Sequence, residues 1–157
     1  MVGFSNVEPS VFDSKSVTSD TQQAMERLAE LLSDQPAVHE VDPVVTRNER
    51  AEGRSFVGPI TKLENAKIRS VPAPSGEVPI RIFIPDKVEG IYLHIHGGGF
   101  VLGRAHLQDE KLENIANVCK TAIVSVDYRL APENPYPIPL DDCEAAASWL
   151  IKNALEE

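Results

Sequence analysis

Three things are scarce in this sequence of 157 residues. Cysteine is one: Cys119 and Cys143 stand alone, each inside a predicted helix, which excludes a disulfide framework and leaves two reduced core residues as the expectation. Positive charge is another. Fifteen Lys and Arg face 24 Asp and Glu, a formal charge of −9. That balance disfavours nucleic acid or an anionic membrane surface as a partner. Long apolar runs are the third: none reaches the roughly 18 residues that a bilayer span needs. Met1 to Glu8 has neither a basic nor an apolar leader region. No signal peptide is expected, and a cytoplasmic location is. No internal repeat or low-complexity segment is visible. The length suffices for one domain with a core.

What is present is concentrated in one stretch, Ile91-Tyr92-Leu93-His94-Ile95-His96-Gly97-Gly98-Gly99-Phe100-Val101-Leu102-Gly103. Tyr92, Leu93 and Ile95 suit a buried strand. Three glycines then remove every Cβ, allow positive φ and let backbone N–H groups approach a ligand closely. Bare amides at the end of a strand are a site for negative charge. In acyl transfer that charge is the tetrahedral oxyanion.

His96-Gly97-Gly98-Gly99-Phe100 resembles the HGGG oxyanion loop of hormone-sensitive-lipase-like esterases, which have the α/β-hydrolase fold. About thirty residues later, Asp127-Tyr128-Arg129-Leu130-Ala131-Pro132-Glu133 with Pro135-Tyr136-Pro137 resembles that family's DYRLAPE segment. Two blocks in the right order are far more specific than three glycines. The chain differs from the common pattern at Asn134 and Ile138, which bears on substrate details. The resemblance implies an α/β fold: the N-terminal half of an α/β-hydrolase, with a mixed, mostly parallel sheet, flanking helices and helical cap segments in front. Residues 1–60 would be the cap and 61–157 the core half.

The family's nucleophile lies in a GxSxG elbow after the next strand, and this sequence has none. Gly53-Arg54-Ser55-Phe56-Val57-Gly58 has the wrong spacing and precedes the glycine loop. No catalytic triad member is therefore assigned in the chain: nucleophile, acid and base are expected beyond Glu157. The resemblance makes Gly97, Gly98 and Gly99 the oxyanion hole. The amides of Gly98 and Gly99 would donate, and Gly97 would permit the turn. His96 would position the loop, and Asp127, Tyr128 and Arg129 would support it, with Arg129 paired to Asp127 or Glu133. His94 and His96 could face one side of a strand, but no third metal ligand is evident, so no metal and no cofactor are assigned. His39 and His106 read as surface or locally bonded residues.

In chain order, residues 1 to about 18 read as a loose arm. Ser19-Asp20-Thr21-Gln22 opens a helix with a capping box and an apolar stripe of Ala24, Met25, Leu28, Leu31 and Leu32. Pro43 argues against a helix, and Arg47 to Arg54 reads as a solvated helix or loop without chemistry. Residues 67–71 and 78–84 suggest an antiparallel pair at a sheet edge, joined by a turn-rich link over 72–76. A helix over 106–120 and an apolar strand over 122–127 complete a βαβ unit. Pro132, Pro135, Pro137 and Pro139 stiffen the next connection. A last helix, 140–155, should bury Leu140, Cys143, Ala147, Leu150 and Ile151.

The functional expectation is a carboxylic-ester hydrolase acting on small esters, with no esterase activity from these 157 residues alone. Self-association through an exposed sheet edge is expected too. The alternative is a non-catalytic ligand-binding module, such as the gibberellin receptor that uses this scaffold, or a pseudoenzyme remnant.

Overall fold

A computed structural model describes residues 9–55 and 58–154. They fall into two compact units, one within residues 1–40 and one within 41–157. In the first, short 3-10 turns at Pro9–Phe12 and Ser14–Ser16 precede α1, Ser19–Leu32. The rest of the expected loose arm, residues 1–8, lies outside the described residues. The cap is one residue earlier than the sequence suggested. Thr18, not Ser19, accepts the Thr21 amide at 3.3 Å, because its extended backbone aims the hydroxyl at the orphan N–H groups of the first turn. The apolar stripe of α1 is exposed: Met25, Leu28 and Leu31 are each more than 40% accessible.

The second unit begins with α2, Pro43–Ala51. Pro43 starts this helix rather than breaking it. At the first helical position its missing N–H costs nothing, and Asp42 caps the turn by accepting the Val44 amide at 2.7 Å. Four strands follow: β1 (Lys67–Ala73), β2 (Gly76–Phe83), β3 (Gly90–Ile95) and β4 (Thr121–Val126). Helix α3 (Asp109–Cys119) joins β3 to β4, and α4 (Ile138–Asn153) follows β4. β1 runs on through Pro72, which the sequence placed in a link. An edge strand tolerates a proline because its outward side needs no N–H.

The strands form one mixed sheet in the order β1-β2-β4-β3. β1 pairs antiparallel to β2, β2 antiparallel to β4, and β3 parallel to β4 with Ile91 opposite Ala122 and Ile95 opposite Val126. Ile80, Ile82, Val124 and Val126 line one face, covered by Cys143 and Ala146 of α4. Phe83 and Ile123 line the other, against Leu112 and Ala116 of α3. A sheet between two helices therefore carries the core, and the parallel pair sends the carboxyl ends of β3 and β4 to the same end of it.

Several burial expectations are corrected by this arrangement. Tyr92 and Ile95 are half exposed because β3 is an edge strand. Cys119 is exposed on the outer side of α3, whereas Cys143 is buried, and both are free thiols. Leu140 and Ile151 are exposed, because α4 starts two residues earlier and turns Pro139, Asp142 and Ala146 inward.

Candidate active site

At the carboxyl end of β3 the chain makes a tight turn. The Gly98 carbonyl accepts from the Val101 and Leu102 amides, at 3.2 and 2.9 Å. Gly98 has φ +134°, and a Cβ there would lie 2.0 Å from the Leu102 carbonyl oxygen, so only glycine fits. Gly103 closes the turn under the same constraint: a Cβ on it would meet the Gly97 carbonyl and the His96 ring at 2.6 Å. Gly97, Gly98 and Gly99 are exposed. Their amides donate to no backbone acceptor among the described residues. Phe100 sits in the left-handed region at φ +61°, a conformation that costs a non-glycine residue about 1–3 kcal/mol.

His96 is buried under this turn, 3% exposed. Its Nδ1 lies 3.0 Å from the Gly97 carbonyl. A carbonyl only accepts, so Nδ1 carries the proton and Nε2 is left a buried acceptor without a protein donor among the described residues. Burial holds the imidazole below its ordinary pKa, so the ring is neutral near pH 7. Such a ring orients the loop rather than charging it. The Tyr128 ring stacks on His96 with centroids 4.1 Å apart, and its hydroxyl donates to the His96 carbonyl at 2.8 Å.

Asp127 and Arg129, on either side of Tyr128, act on different segments. Asp127 accepts the Ala105 amide at 2.9 Å and pairs with Arg104 at 3.3 Å, fixing the exit of the glycine loop. Arg129 turns away from Asp127 and Glu133. Its amide and Nε both reach Asp142 of α4 at 2.9 Å, and its guanidinium also donates to the Ser75 carbonyl at 2.7 Å. The expected Arg129–Asp127 or Arg129–Glu133 pair is therefore replaced by a tie between this segment, α4 and the β1–β2 turn. Glu133 pairs instead with Arg47 at 2.8 Å. His94 is spent on Ser125, its neighbour across β3 and β4, with Nδ1 2.9 Å from the hydroxyl. Among the described residues no three His, Cys, Asp or Glu gather as metal ligands.

The sequence pattern of the α/β-hydrolase fold family matches residues 92–157, the stretch that holds both loops and the two strands behind them. Over this stretch the chain has the α/β-hydrolase fold. The chain is 42% identical over 82 residues to an arylesterase of Saccharolobus solfataricus, covering 51% of this chain and 27% of the relative. It is 38% identical over 89 residues to esterase LipI of Mycobacterium tuberculosis, covering 54% and 28%. Among solved structures, a thermostable carboxylesterase from a metagenomic library superposes with a TM-score of 0.64 at 29% identity, over 75% of this chain and 42% of that one. A hyperthermophilic esterase of Pyrobaculum calidifontis gives 0.67 at 27% identity, over 87% and 44%. The chain thus spans little more than a quarter of the curated relatives it matches and less than half of the solved ones. No described helix is long and apolar enough to cross a membrane.

Sequence reasoning missed three contributors to this site. Gly103 lies outside the HGGG block, though the spacing of a fourth glycine was on view. Asp142 gave no signal, since an acidic residue near the start of a helix is common. Arg47 was assigned to a solvated run, yet it is only 18% exposed at its side chain. Its Nε donates to the Val101 carbonyl at 2.7 Å, and its Nη2 donates to the Ala131 carbonyl. A hollow of about 280 Å³ also exists, lined by Ile82, Val88, Ile91 and Trp149. It lies by the amino ends of β3 and β4, and no titratable group lines it.

Proposed function

We propose that the chain supplies the oxyanion-binding half of a serine carboxylesterase, with Gly97, Gly98 and Gly99 forming the hole and small esters as substrates. The observation that carries this reading is the glycine turn itself. Its amides are exposed and unspent among the described residues, while His96, Tyr128 and Asp127 fix everything beneath them. Rigid, preorganised donors stabilise a developing oxyanion without reorganising during the reaction. The names of the relatives support ester hydrolysis as the chemistry. In such a reaction a serine attacks the ester carbonyl, a histidine takes its proton and an acid orients the histidine. This reading assigns none of those roles within the chain, so residues 1–157 alone should leave p-nitrophenyl acetate unhydrolysed above the buffer rate. We place the protein in the cytoplasm, a reading that the two free thiols support.

The test is a chimera. Residues 92–157 replace the corresponding segment of the Saccharolobus solfataricus arylesterase, and hydrolysis of p-nitrophenyl acetate is followed beside the melting temperature. A folded chimera should hydrolyse the ester, and Gly98→Ala within it, which keeps the amide but displaces it because the turn has no room for a Cβ, should lower kcat about 10²–10³-fold, the worth of one lost donor. A folded chimera that binds esters without turning them over would favour the ligand-binding alternative. Reading the coding sequence beyond codon 157 for a GxSxG elbow is the companion observation.

A further inference from the structure

We propose that Arg47 is the positioning residue of the glycine loop: one guanidinium fixes the Val101–Leu102 peptide directly, and the Phe100–Val101 peptide through Ala131, and so aims the amides of Gly98 and Gly99. The inference rests on the oxyanion reading of that loop and adds a residue from α2 to it. The geometry is specific. Arg47 donates to the Val101 carbonyl, the Ala131 carbonyl and the Glu133 carboxylate, which belong to two loops far apart in sequence. The Ala131 amide meanwhile donates to the Phe100 carbonyl at 2.9 Å. Both carbonyls of the Phe100–Val101 pair are therefore held, one by Arg47 directly and one by Ala131, which Arg47 also holds.

This matters because Phe100 is in the left-handed region without being glycine. Such a backbone persists only where its surroundings over-determine it. Relaxation of Phe100 would rotate the preceding peptides, and the amides of Gly98 and Gly99 with them. α2 buries none of its residues, so apolar packing does little to fix its place. Its polar link through Arg47 is the feature that ties it to the loop. The planar fork of an arginine can serve acceptors in different directions at once, whereas the single ammonium of a lysine cannot hold the same set in the same plane. Glu133 is half exposed, so its share serves to orient the guanidinium.

Amide-resolved NMR on the full 157-residue chain tests this, using Arg47→Gln, Arg47→Lys and Arg47→Ala, with Glu133→Gln as the milder change. Arg47→Gln should speed hydrogen exchange at Ala131 and Leu102 by about tenfold or more and shift the Gly98 and Gly99 amide resonances, while Ile123 to Val126 keep wild-type protection. Arg47→Lys should fail to restore the wild-type resonances. Ethylguanidinium at millimolar concentration should restore them in Arg47→Ala, and this chemical rescue applies even if Arg47→Gln is too unstable to study. Glu133→Gln should shift the same resonances less. Unchanged Gly98 and Gly99 resonances, or exchange that rises uniformly across the sheet, would overturn the proposal. In the chimera, enlarged to include residues 41–157, Arg47→Gln should lower kcat with KM little changed. If Gly98→Ala leaves hydrolysis intact while Arg47 still controls the loop, the oxyanion reading fails and the positioning role stands.

Discussion

β3 and β4 lie side by side in parallel register, both short and both rich in branched apolar residues, and the sheet treats them differently. In β4, Ile123, Val124, Ser125 and Val126 are at most 2% exposed. In β3, Ile91, Tyr92 and Ile95 are more than 40% exposed. Composition does not explain the contrast; position in the strand order does. β4 has β2 on one side and β3 on the other, with α3 and α4 over its two faces. β3 has a paired neighbour only in β4 among the described residues. The strand that leads into the glycine turn is thus the less protected one, and the strand that leads into Tyr128 is the anchor.

The contrast can be broken most sharply from below the centre. Arg81 of β2 donates through Nε to Asp109 of α3 at 2.9 Å, and both are nearly inaccessible. Asp109→Ala leaves that guanidinium buried without its counter-charge. It should cost about 3–5 kcal/mol by urea denaturation, and a loss under 1 kcal/mol would mean that the centre is not as dry as it looks. Next in size is a matched pair of truncations. Ile123→Ala should cost about 2–5 kcal/mol and Ile91→Ala less than about 1, since a half-exposed side chain loses little on deletion. Equal costs would erase the distinction between centre and edge.

A third experiment concerns the free edge. We propose that β3 mediates self-association, because unpaired strand edges template pairing with another chain. Tyr92→Lys should then shift the protein toward monomer in sedimentation velocity while changing its stability by no more than about 0.5 kcal/mol. An unchanged oligomer distribution counts against the edge. The smallest effect is in pH. His94, His96 and His106 are all held below the ordinary imidazole value of 6.5, chiefly by burial. The unfolded chain therefore binds more protons than the folded one once the pH falls below 6.5, and stability should decline from there downward through the folded values. Melting temperatures between pH 7.5 and 5.5 should show it, and His94→Gln should flatten the slope.

The fold was largely readable because its signals are periodic. Alternation gave β2, a continuous branched run gave β4, and the strand–helix–strand order gave the parallel pair. What escaped was pairing between side chains distant in sequence. Arg129 sits beside Asp127 and near Glu133, and the nearest acids were the natural guess, but the backbone directs its guanidinium to Asp142 and Ser75. Arg47 is separated from its acceptors by more than fifty positions, so its neighbours in sequence, which are polar or only partly buried, gave the wrong context. The glycine loop was visible because three adjacent glycines are rare in a strand exit, whereas the need for Gly103 emerges only when the turn brings it against His96.

The strand order also carries a consequence for how the chain assembles. β1 and β2 are joined by a short turn and can pair as soon as both exist. The inner edge of β2 must then wait for β4, while β3 is synthesised in between and joined to β2 by only a few residues. A β2–β3 hairpin is the short-range competitor, and it would occupy the edge that β4 needs. Native pairing closes the longer loop and is the slower event. The glycine turn, which takes its shape from Asp127 and Tyr128 just after β4 as well as from β3, is therefore expected among the last parts of the molecule to form.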